Sequence, residues 1–200
     1  MTGAVGGPTR VVIAEDEAII RMDLRELLEE EGYEVVGETG RGDEAVELVR
    51  TLHPDLAILD IKMPGLDGLS AARQITGERL AAVLILTAFS QRDLVEQARD
   101  AGAIGYLVKP FQKGDLIPAI EVALGRYAEL RSLEAEVEDL SERLEARKVI
   151  DRAKGILMDQ HGLREQDAWR FLQTEAMNRR SKVHEVARLV VDGGLVPAGP

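Results

Sequence analysis

Four polar features within residues 1–125 stand where short apolar runs end. Glu15 and Asp16 follow one run, and Asp60, Thr87 and Lys109 each follow another. Carboxylates that converge on one crevice repel one another unless a cation lies among them, and oxygen ligands of this kind favour Mg²⁺. Aspartate can also accept a phosphoryl group covalently. These residue types predict a magnesium-dependent phosphoryl site in which Asp60 is the acceptor.

Thr87 and Lys109 suit the phosphoryl side of that chemistry. A lysine is a point charge on a flexible stem that can pair with a transferred phosphoryl group, and a threonine hydroxyl can donate to one of its oxygens. Each residue alone also has a structural explanation, because acids at strand ends are usually turn residues or helix caps and threonine commonly begins a helix. The joint order of acid pair, aspartate, threonine and lysine favours a functional site.

The elements that would position these residues form a repeating pattern of apolar run and helical periodicity. The predicted strands are 10–14, 34–37, 56–59, 82–86 and 104–108, each followed by a helical pattern. Five alternating strands and helices predict an α/β fold, a doubly wound five-stranded parallel sheet with helices on both faces. Such sheets bind ligands at the carboxyl ends of their strands, which is where the polar groups fall.

Composition limits the function classes further. The chain has 200 residues, no cysteine, three dispersed histidines and 45% hydrophobic residues. It has no disulfide, thiolate metal site or cysteine nucleophile, which suits a reducing compartment. The sequence has no apolar run long enough to span a membrane, and residues 1–9 have neither the basic start nor the apolar stretch expected of a secretion signal. We expect a folded cytoplasmic protein without membrane contact.

Charge changes along the chain. Residues 1–125 contain 12 basic and 22 acidic residues, residues 126–145 contain 3 and 7, and residues 146–200 contain 10 and 7. The net charges of the three segments are therefore −10, −4 and +3. This asymmetry predicts that any polyanionic partner binds the last third.

Residues 126–145 form a predicted helical linker. Apolar side chains recur there at alternating steps of three and four, which is the a/d pattern of a coiled coil. These seam residues are Leu130, Leu133, Val137, Leu140 and Leu144. Because the pattern covers only about two heptads, self-pairing and packing within the chain both remain open.

The apolar seam of the linker breaks at Arg147. Three short amphipathic helices are predicted to follow and to form a small all-α bundle over residues 146–192. Gly155 lies inside the first of these helices, where glycine costs about 1 kcal/mol relative to alanine and often marks close approach of another backbone or a ligand. Trp169 and Phe171 fall at or beside core spacing, which indicates packing. Arg164 precedes the second helix, where a capping Ser, Thr or Asp is expected.

The acid pair, Asp60, Thr87 and Lys109 together make residues 10–125 resemble the receiver domain of two-component response regulators. This resemblance implies a flavodoxin-like fold and phosphorylation of Asp60 by a sensor histidine kinase. It also implies that Mg²⁺ is held by Glu15, Asp16, Asp60 and the backbone carbonyl of Lys62.

The same resemblance assigns a switching role to Tyr106, three residues before Lys109. Thr87 and Lys109 are implied to stabilise the phosphoryl group. A tyrosine that simply packs at the sheet edge is the structural alternative for Tyr106.

The segment Ala153-Lys-Gly-Ile-Leu-Met158, followed by Ala168 and Val186-Ala187, resembles the ANTAR domain, an RNA-binding module of transcription antitermination. The whole arrangement is similar to actinobacterial phosphorylation-dependent antitermination regulators. In this family phosphorylation is linked to homodimerisation, and the paired modules bind structured RNA with stem-loops in nascent transcripts, which affects the transcription machinery indirectly. The implied RNA contacts are Arg147, Lys154, Arg179, Arg180 and Lys182.

Three other functions remain open from the sequence. A DNA-binding output is a commoner partner of a receiver, but the module lacks a clear helix-turn-helix glycine turn. An aspartyl-phosphate hydrolase would need a second aspartate two residues after Asp60, where Lys62 stands, so we expect no enzyme beyond autophosphatase activity. A protein-interaction adaptor would show no salt-dependent RNA affinity.

Overall fold

The structure, a computed structural model, describes residues 7–88 and 92–197. Within these residues the chain forms five strands and seven helices. In chain order the elements are β1 (Arg10–Ala14), α1 (Ala18–Glu30), β2 (Glu34–Thr39), α2 (Gly42–Leu52), β3 (Leu56–Asp60), α3 (Gly68–Gly77), β4 (Ala82–Thr87), α4 (Arg92–Asp100), β5 (Gly105–Val108), α5 (Lys113–His161), α6 (Glu165–Arg179) and α7 (Val183–Val191).

The strands form one parallel sheet in the order β2-β1-β3-β4-β5. This order is that of flavodoxin-like doubly wound folds, and the predicted fold class is confirmed. Three strands are longer than predicted, since β2 continues to Thr39, β3 to Asp60 and β4 to Thr87. The register between β1 and β2 shifts between Val11 and Val12. After the shift Ala14 pairs with Thr39, so the end of β2 stays beside β1.

Each face of the sheet contributes to its own apolar core. Val12, Ala57 and Leu59 face one core cluster, and Ile13 and Ile58 face the other. All five side chains are fully buried. Because successive side chains of a strand point to opposite faces, short continuous apolar strands supply both cores at once.

Helix α5 is a single helix of 49 residues. The prediction that a new helix begins at Arg147 is therefore wrong, and the linker and the first helix of the bundle belong to one element. Near its start α5 is tied to the sheet domain by two tyrosines. Tyr33 Oη donates to Glu121 at 2.8 Å, and Tyr127 Oη donates to the carbonyl of Arg79 at 3.0 Å.

The contacts of the described residues divide the chain after Arg131 into two compact units. The second unit has its own core, formed by the end of α5 together with α6 and α7. Its fully buried members include Ala153, Leu157, Leu172 and Val186. The predicted small helical bundle is thus present, with its first helix continuous with the linker.

The seam residues of the linker are not buried. Leu130, Leu133, Val137, Leu140 and Leu144 are 48%, 54%, 62%, 56% and 55% exposed. Packing of the seam within the chain, one of the two alternatives left by the sequence, is therefore not observed. Within the part of the chain that the structure describes, no helix is both long and apolar enough to cross a membrane.

Gly68, the first residue of α3, allows the loop after β3 to close tightly. A Cβ at this position would collide with the backbone carbonyl oxygen of Asp60. Gly77 ends the same helix, and a Cβ there would meet nothing within 4 Å. The need for glycine at the start of α3 is therefore steric.

We expect Gly68→Ala to lower the free energy of unfolding by about 1 to 3 kcal/mol, because backbone atoms must move to relieve the overlap. Gly77→Ala is the matched control and should leave stability unchanged or raise it by up to about 1 kcal/mol. Urea denaturation of both variants measures the difference. Equal effects at the two positions would contradict the steric explanation.

Candidate functional site

The carboxyl edge of the sheet brings the predicted site residues together. Glu15 follows β1, Asp60 ends β3, Thr87 ends β4 and Lys109 follows β5. Glu15 and Thr87 are almost completely buried and Asp60 is 6% exposed, whereas Asp16 is exposed. The crevice therefore has a buried floor and one carboxylate at its open side.

Three of these residues form an oxygen cluster suited to a divalent cation. One carboxylate oxygen from each of Glu15, Asp16 and Asp60 lies within 4.8 Å of the others. Hard oxygen ligands and an exposed member that leaves room for water fit Mg²⁺, which binds through a few carboxylates and retains water.

Lys109 provides the positive charge on the floor of the crevice. Its Nζ donates to Oε2 of Glu15 and lies 3.0 Å from Oδ1 of Asp60. The lysine side chain is only 11% exposed. The two buried carboxylates thus share one ammonium group, which reduces the repulsion between them.

Burial and pairing act in opposite directions on this cluster. Burial raises the pKa of Glu15 above its usual value, while the hydrogen bond and charge of Lys109 offset part of that rise. Burial alone would lower the pKa of Lys109, but its hydrogen bonds to Glu15 and Asp60 raise that pKa overall. The lysine therefore stays charged as long as the two carboxylates are present.

The second oxygen of Asp60 is also engaged. The backbone N–H of Lys62 donates to Oδ2 of Asp60 at 3.0 Å. Each oxygen of Asp60 thus faces a different donor, which orients the carboxylate. The carbonyl of Lys62, implied as a metal ligand by the resemblance, stays a prediction.

Tyr106 on β5 contacts the site through Thr87 on the neighbouring strand. Burial raises the pKa of Tyr106 overall, and the hydrogen bond that the two side chains share offsets part of this rise. Tyr106 also packs against the core cluster on its side of the sheet. Both the switching role and the packing role that the sequence left open involve contacts seen here.

Arg21 is a site residue that sequence reasoning missed. Its guanidinium donates to the backbone carbonyl of Glu15, and it lies near Gly40 in the loop after β2. The arginine thereby fixes the segment that holds the acid pair. An arginine on an amphipathic helix looks like a solvent-exposed residue, so the sequence contained no signal for this contact.

The predicted RNA-binding residues in the second unit differ in availability. Arg147 is 83% exposed and Lys154 only 20%; both contact Asp151, at 3.9 and 3.0 Å. Lys154 is also 3.0 Å from Glu165, whose hydrogen bond is the main cause that raises the pKa of Lys154. The two residues share a helix face as predicted, but Lys154 is already neutralised.

The other three basic residues surround the turn between α6 and α7. Arg179 ends α6 and is 3.1 Å from Glu175, Arg180 is exposed in a left-handed conformation, and Lys182 precedes α7. The turn therefore groups them on one short segment. Of the three, Arg179 has an ion pair with a carboxylate in the described part of the chain, and none is described for the side chains of Arg180 and Lys182.

A Cβ at Gly155 would meet nothing within 4 Å, so no described backbone approaches that glycine, and the approach of a ligand stays a prediction. The two aromatic side chains that were predicted to pack differ from each other. Trp169 is 38% exposed, whereas Phe171 packs against the core. Arg164 makes no side-chain cap to α6, as its type predicted, and its Nε donates to Asp167 instead.

Lys109→Met removes the charge that the two buried carboxylates share. In EDTA we expect the free energy of unfolding near neutral pH to fall by about 3 kcal/mol, as when a buried pair is broken. Acidification should recover part of the loss, because burial raises the pKa of Glu15 in the folded state and protonation of Glu15 then removes a buried charge.

Lys113→Met is the matched control, since Lys113 pairs with Glu31 while 51% exposed. Its loss of stability should be much smaller than that of Lys109→Met and nearly independent of this pH change. Chemical denaturation near neutral pH and at acidic pH gives the comparison. Equal losses in the two variants would refute a special contribution from the buried lysine.

Comparisons with known proteins agree with this division of the chain. Residues 11–121 match the response regulator receiver domain, and residues 138–191 match the ANTAR domain. The chain is 59% identical to the transcriptional regulatory protein PdtaR of Mycobacterium tuberculosis, over 92% of this chain and 90% of that protein. It is 38% identical to the chemotaxis protein CheY of Thermotoga maritima, over 56% of this chain and 93% of that protein.

A solved structure supports the fold of the first unit. The signal receiver domain of the response regulator NarL from Mycobacterium tuberculosis superposes with a TM-score of 0.58 at 31% identity, covering 60% of this chain and 98% of that one. The receiver-domain match over residues 11–121 includes the crevice residues from Glu15 to Lys109. The chain therefore belongs to the response regulators, with a receiver domain followed by an ANTAR domain.

Proposed function

We propose that this protein is a two-component response regulator in which phosphorylation of Asp60 controls RNA binding by the ANTAR domain. The main support is the Asp60 carboxylate, which ends a buried strand with Lys109 3.0 Å from one oxygen and the Lys62 N–H 3.0 Å from the other. The phosphoryl donor is a phosphohistidine of a sensor kinase.

Phosphoryl transfer needs only positioning and charge compensation from this chain. An oxygen of Asp60 forms a bond to phosphorus while the bond from phosphorus to the histidine nitrogen breaks, and the imidazole leaves with that electron pair. Lys109 offsets the negative charge at Oδ1. Mg²⁺ held by Glu15, Asp16, Asp60 and the carbonyl of Lys62 would supply charge neutralisation for the phosphoryl oxygens.

The phosphoryl group then changes the hydrogen bonds of the crevice. It adds a charge of about −1.5 to −2 and three acceptor oxygens. Lys109 and the hydroxyl of Thr87 are drawn towards it, so the bond between Thr87 and Tyr106 changes and Tyr106 moves with it. The side of the sheet formed by α4, β5 and α5 thereby acquires a different surface.

The chain does not need to be an enzyme in this scheme. Lys62 stands where a phosphatase of this chemistry has its second aspartate, so turnover is limited to slow loss of phosphate from Asp60 itself. The regulator acts in the cytoplasm, where nascent transcripts and the transcription machinery are found.

RNA binding in transcription antitermination is the proposed output. It is supported by the ANTAR match over residues 138–191 and by similarity to a transcriptional regulatory protein. The exposed Arg147 and Arg180 provide positive charge for phosphates of a structured RNA. Pairing of two copies through the seam would join two RNA-binding modules in one particle.

Phosphorylation should require Asp60. Treatment with acetyl phosphate and Mg²⁺ is expected to add one phosphoryl group to the wild type and none to Asp60→Asn, as measured by intact mass. Asp43→Asn, which changes an exposed carboxylate on α2, is the matched control and should be phosphorylated normally. Equal labelling of Asp60→Asn and wild type would rule out Asp60 as the acceptor.

The output is tested on the same samples with a pool of structured cellular RNAs and duplex DNA as competitor. RNA binding that rises on phosphorylation only in the wild type and Asp43→Asn supports the coupling. Equal binding in Asp60→Asn would leave the RNA function and remove the coupling. Preference for the duplex would indicate a DNA-binding output, and absence of nucleic-acid binding would favour the adaptor.

Among the basic residues, Arg180 should matter more than Lys154. Arg180→Ala is expected to weaken RNA binding and to reduce the slope of log affinity against log salt by about 1, as for one lost phosphate contact. Lys154→Ala should have a smaller effect, because two carboxylates already neutralise that lysine. Arg170→Ala, another exposed arginine of the same unit, is the control and should leave the salt slope unchanged. A larger loss for Arg170→Ala than for Arg180→Ala would contradict this assignment.

A further inference from the structure

The exposed seam of α5 is an unpartnered apolar stripe of regular spacing. Its members are half or more than half exposed, except Leu130 at 48%. With Leu130 at position a of a heptad, Val137 and Leu144 are also at a, while Leu133 and Leu140 are at d. Such a stripe matches the contact surface of another helix with the same repeat.

The residues that flank the seam argue against a parallel pair of two copies. In a parallel pair each g position faces an e position five residues later in the second copy. Glu129 would then face Glu134, and Arg143 would face Lys148. The next d position is Arg147, which would face the Arg147 of the second copy. Each of these contacts joins like charges.

An antiparallel pair of the same two helices keeps the apolar contacts and changes the flanking ones. If Val137 faces Leu140 of the second copy, then Leu133 faces Leu144 of that copy.

In the same register Leu130 faces Arg147 of the second copy. The aliphatic stem of that arginine can cover Leu130, since long basic side chains cover apolar surface while the charged group stays in water. The seam is then filled along its whole length.

One flanking contact in this register joins opposite charges. It brings Glu136 beside Arg143 of the second copy, and by symmetry the pair occurs twice. Arg143 is exposed and lies 2.8 Å from Asp139 on its own helix. Exposed contacts of this kind exchange readily, so Arg143 can turn to a carboxylate of the second copy.

The like-charge contacts of the parallel pair are absent from the antiparallel register. Glu134 lies beside Ser141 of the second copy, Lys148 lies beside Tyr127, and Glu129 lies beside an apolar residue. The flanking positions therefore favour the antiparallel pair both by the attraction that they add and by the repulsion that they avoid.

We infer that the seam of α5 binds a second copy of this chain in antiparallel orientation, with Val137 opposite Leu140. The inference rests on the self-association included in the proposed function, and gives it a geometry. The two RNA-binding modules of the dimer then lie at opposite ends of the seam. The two Arg147 residues are about 25 Å apart along the helix axis at 1.5 Å per residue.

Cysteine pairing tests the orientation directly, because the chain contains no cysteine. Leu133→Cys and Leu144→Cys proteins, one of them with an extra affinity tag, are mixed, oxidised with and without acetyl phosphate and Mg²⁺, and resolved by mass. The antiparallel pair gives the mixed disulfide in excess, since each introduced cysteine is about 16 Å along the helix axis from the same position of the second copy. Excess of the two like disulfides, or no disulfide above that of the outward-facing Glu142→Cys, overturns the inference.

Charge reversal gives a second, independent result. Arg143→Glu should lower the dimer fraction in sedimentation equilibrium, because the introduced carboxylate would repel Glu136 of the second copy. Adding Glu136→Arg to Arg143→Glu should restore the dimer fraction, since the two charges are then exchanged. In a parallel pair Arg143→Glu would instead relieve repulsion from Lys148 and raise the dimer fraction, which overturns the inference. Arg131→Glu makes the same charge change away from the flanking positions and is the control.

Both measurements are made without RNA. Failure to bind RNA therefore leaves their outcome unaffected, and a wrong orientation leaves RNA binding and phosphorylation of Asp60 to be judged separately.

Discussion

The shared contact of Lys109 with Glu15 and Asp60 is the interaction on which the site depends. Two carboxylates buried at one sheet edge would be costly without a cation, and removal of one partner from such a group costs far more than loss of a surface pair. Lys109 compensates both at once because it is itself nearly buried. The floor holds two carboxylates and one ammonium group, so Lys109 offsets part of their negative charge, and this compensation is lost when Lys109 is removed.

The fold supplies this contact through topology rather than through local sequence. Glu15, Asp60 and Lys109 are far apart in the chain, but the parallel order of β1, β3, β4 and β5 brings the strand ends to one edge. The loop after β3 then closes against Asp60, which is possible because Gly68 has no side chain. A phosphoryl group on Asp60 would add charge to a site whose donors are already in place, so the response must come from their rearrangement.

Much of the first unit could be predicted because its signals are local. The strands β1, β3, β4 and β5 each contain a short apolar run, and a polar site residue comes directly after each of these runs. The missed contacts depend on tertiary structure. Arg21 reaches a backbone carbonyl, and Lys154 meets Glu165 from the next helix, and neither contact has a spacing that distinguishes it from a solvated charge.

The error at Arg147 has a different cause, which also explains how α5 can serve two purposes. At about 100° per residue, the seam from Leu130 to Leu144 lies nearly opposite the stripe of Ala153 and Leu157. The apolar face thus changes sides near Arg147 while the backbone hydrogen bonds of the helix continue. In the sequence, such a change of face looks the same as the end of a helix. Because the two stripes occupy opposite sides of one helix, a partner on the seam does not compete with the packing of α6 and α7. Self-association and the fold of the ANTAR domain can therefore coexist on the same helix.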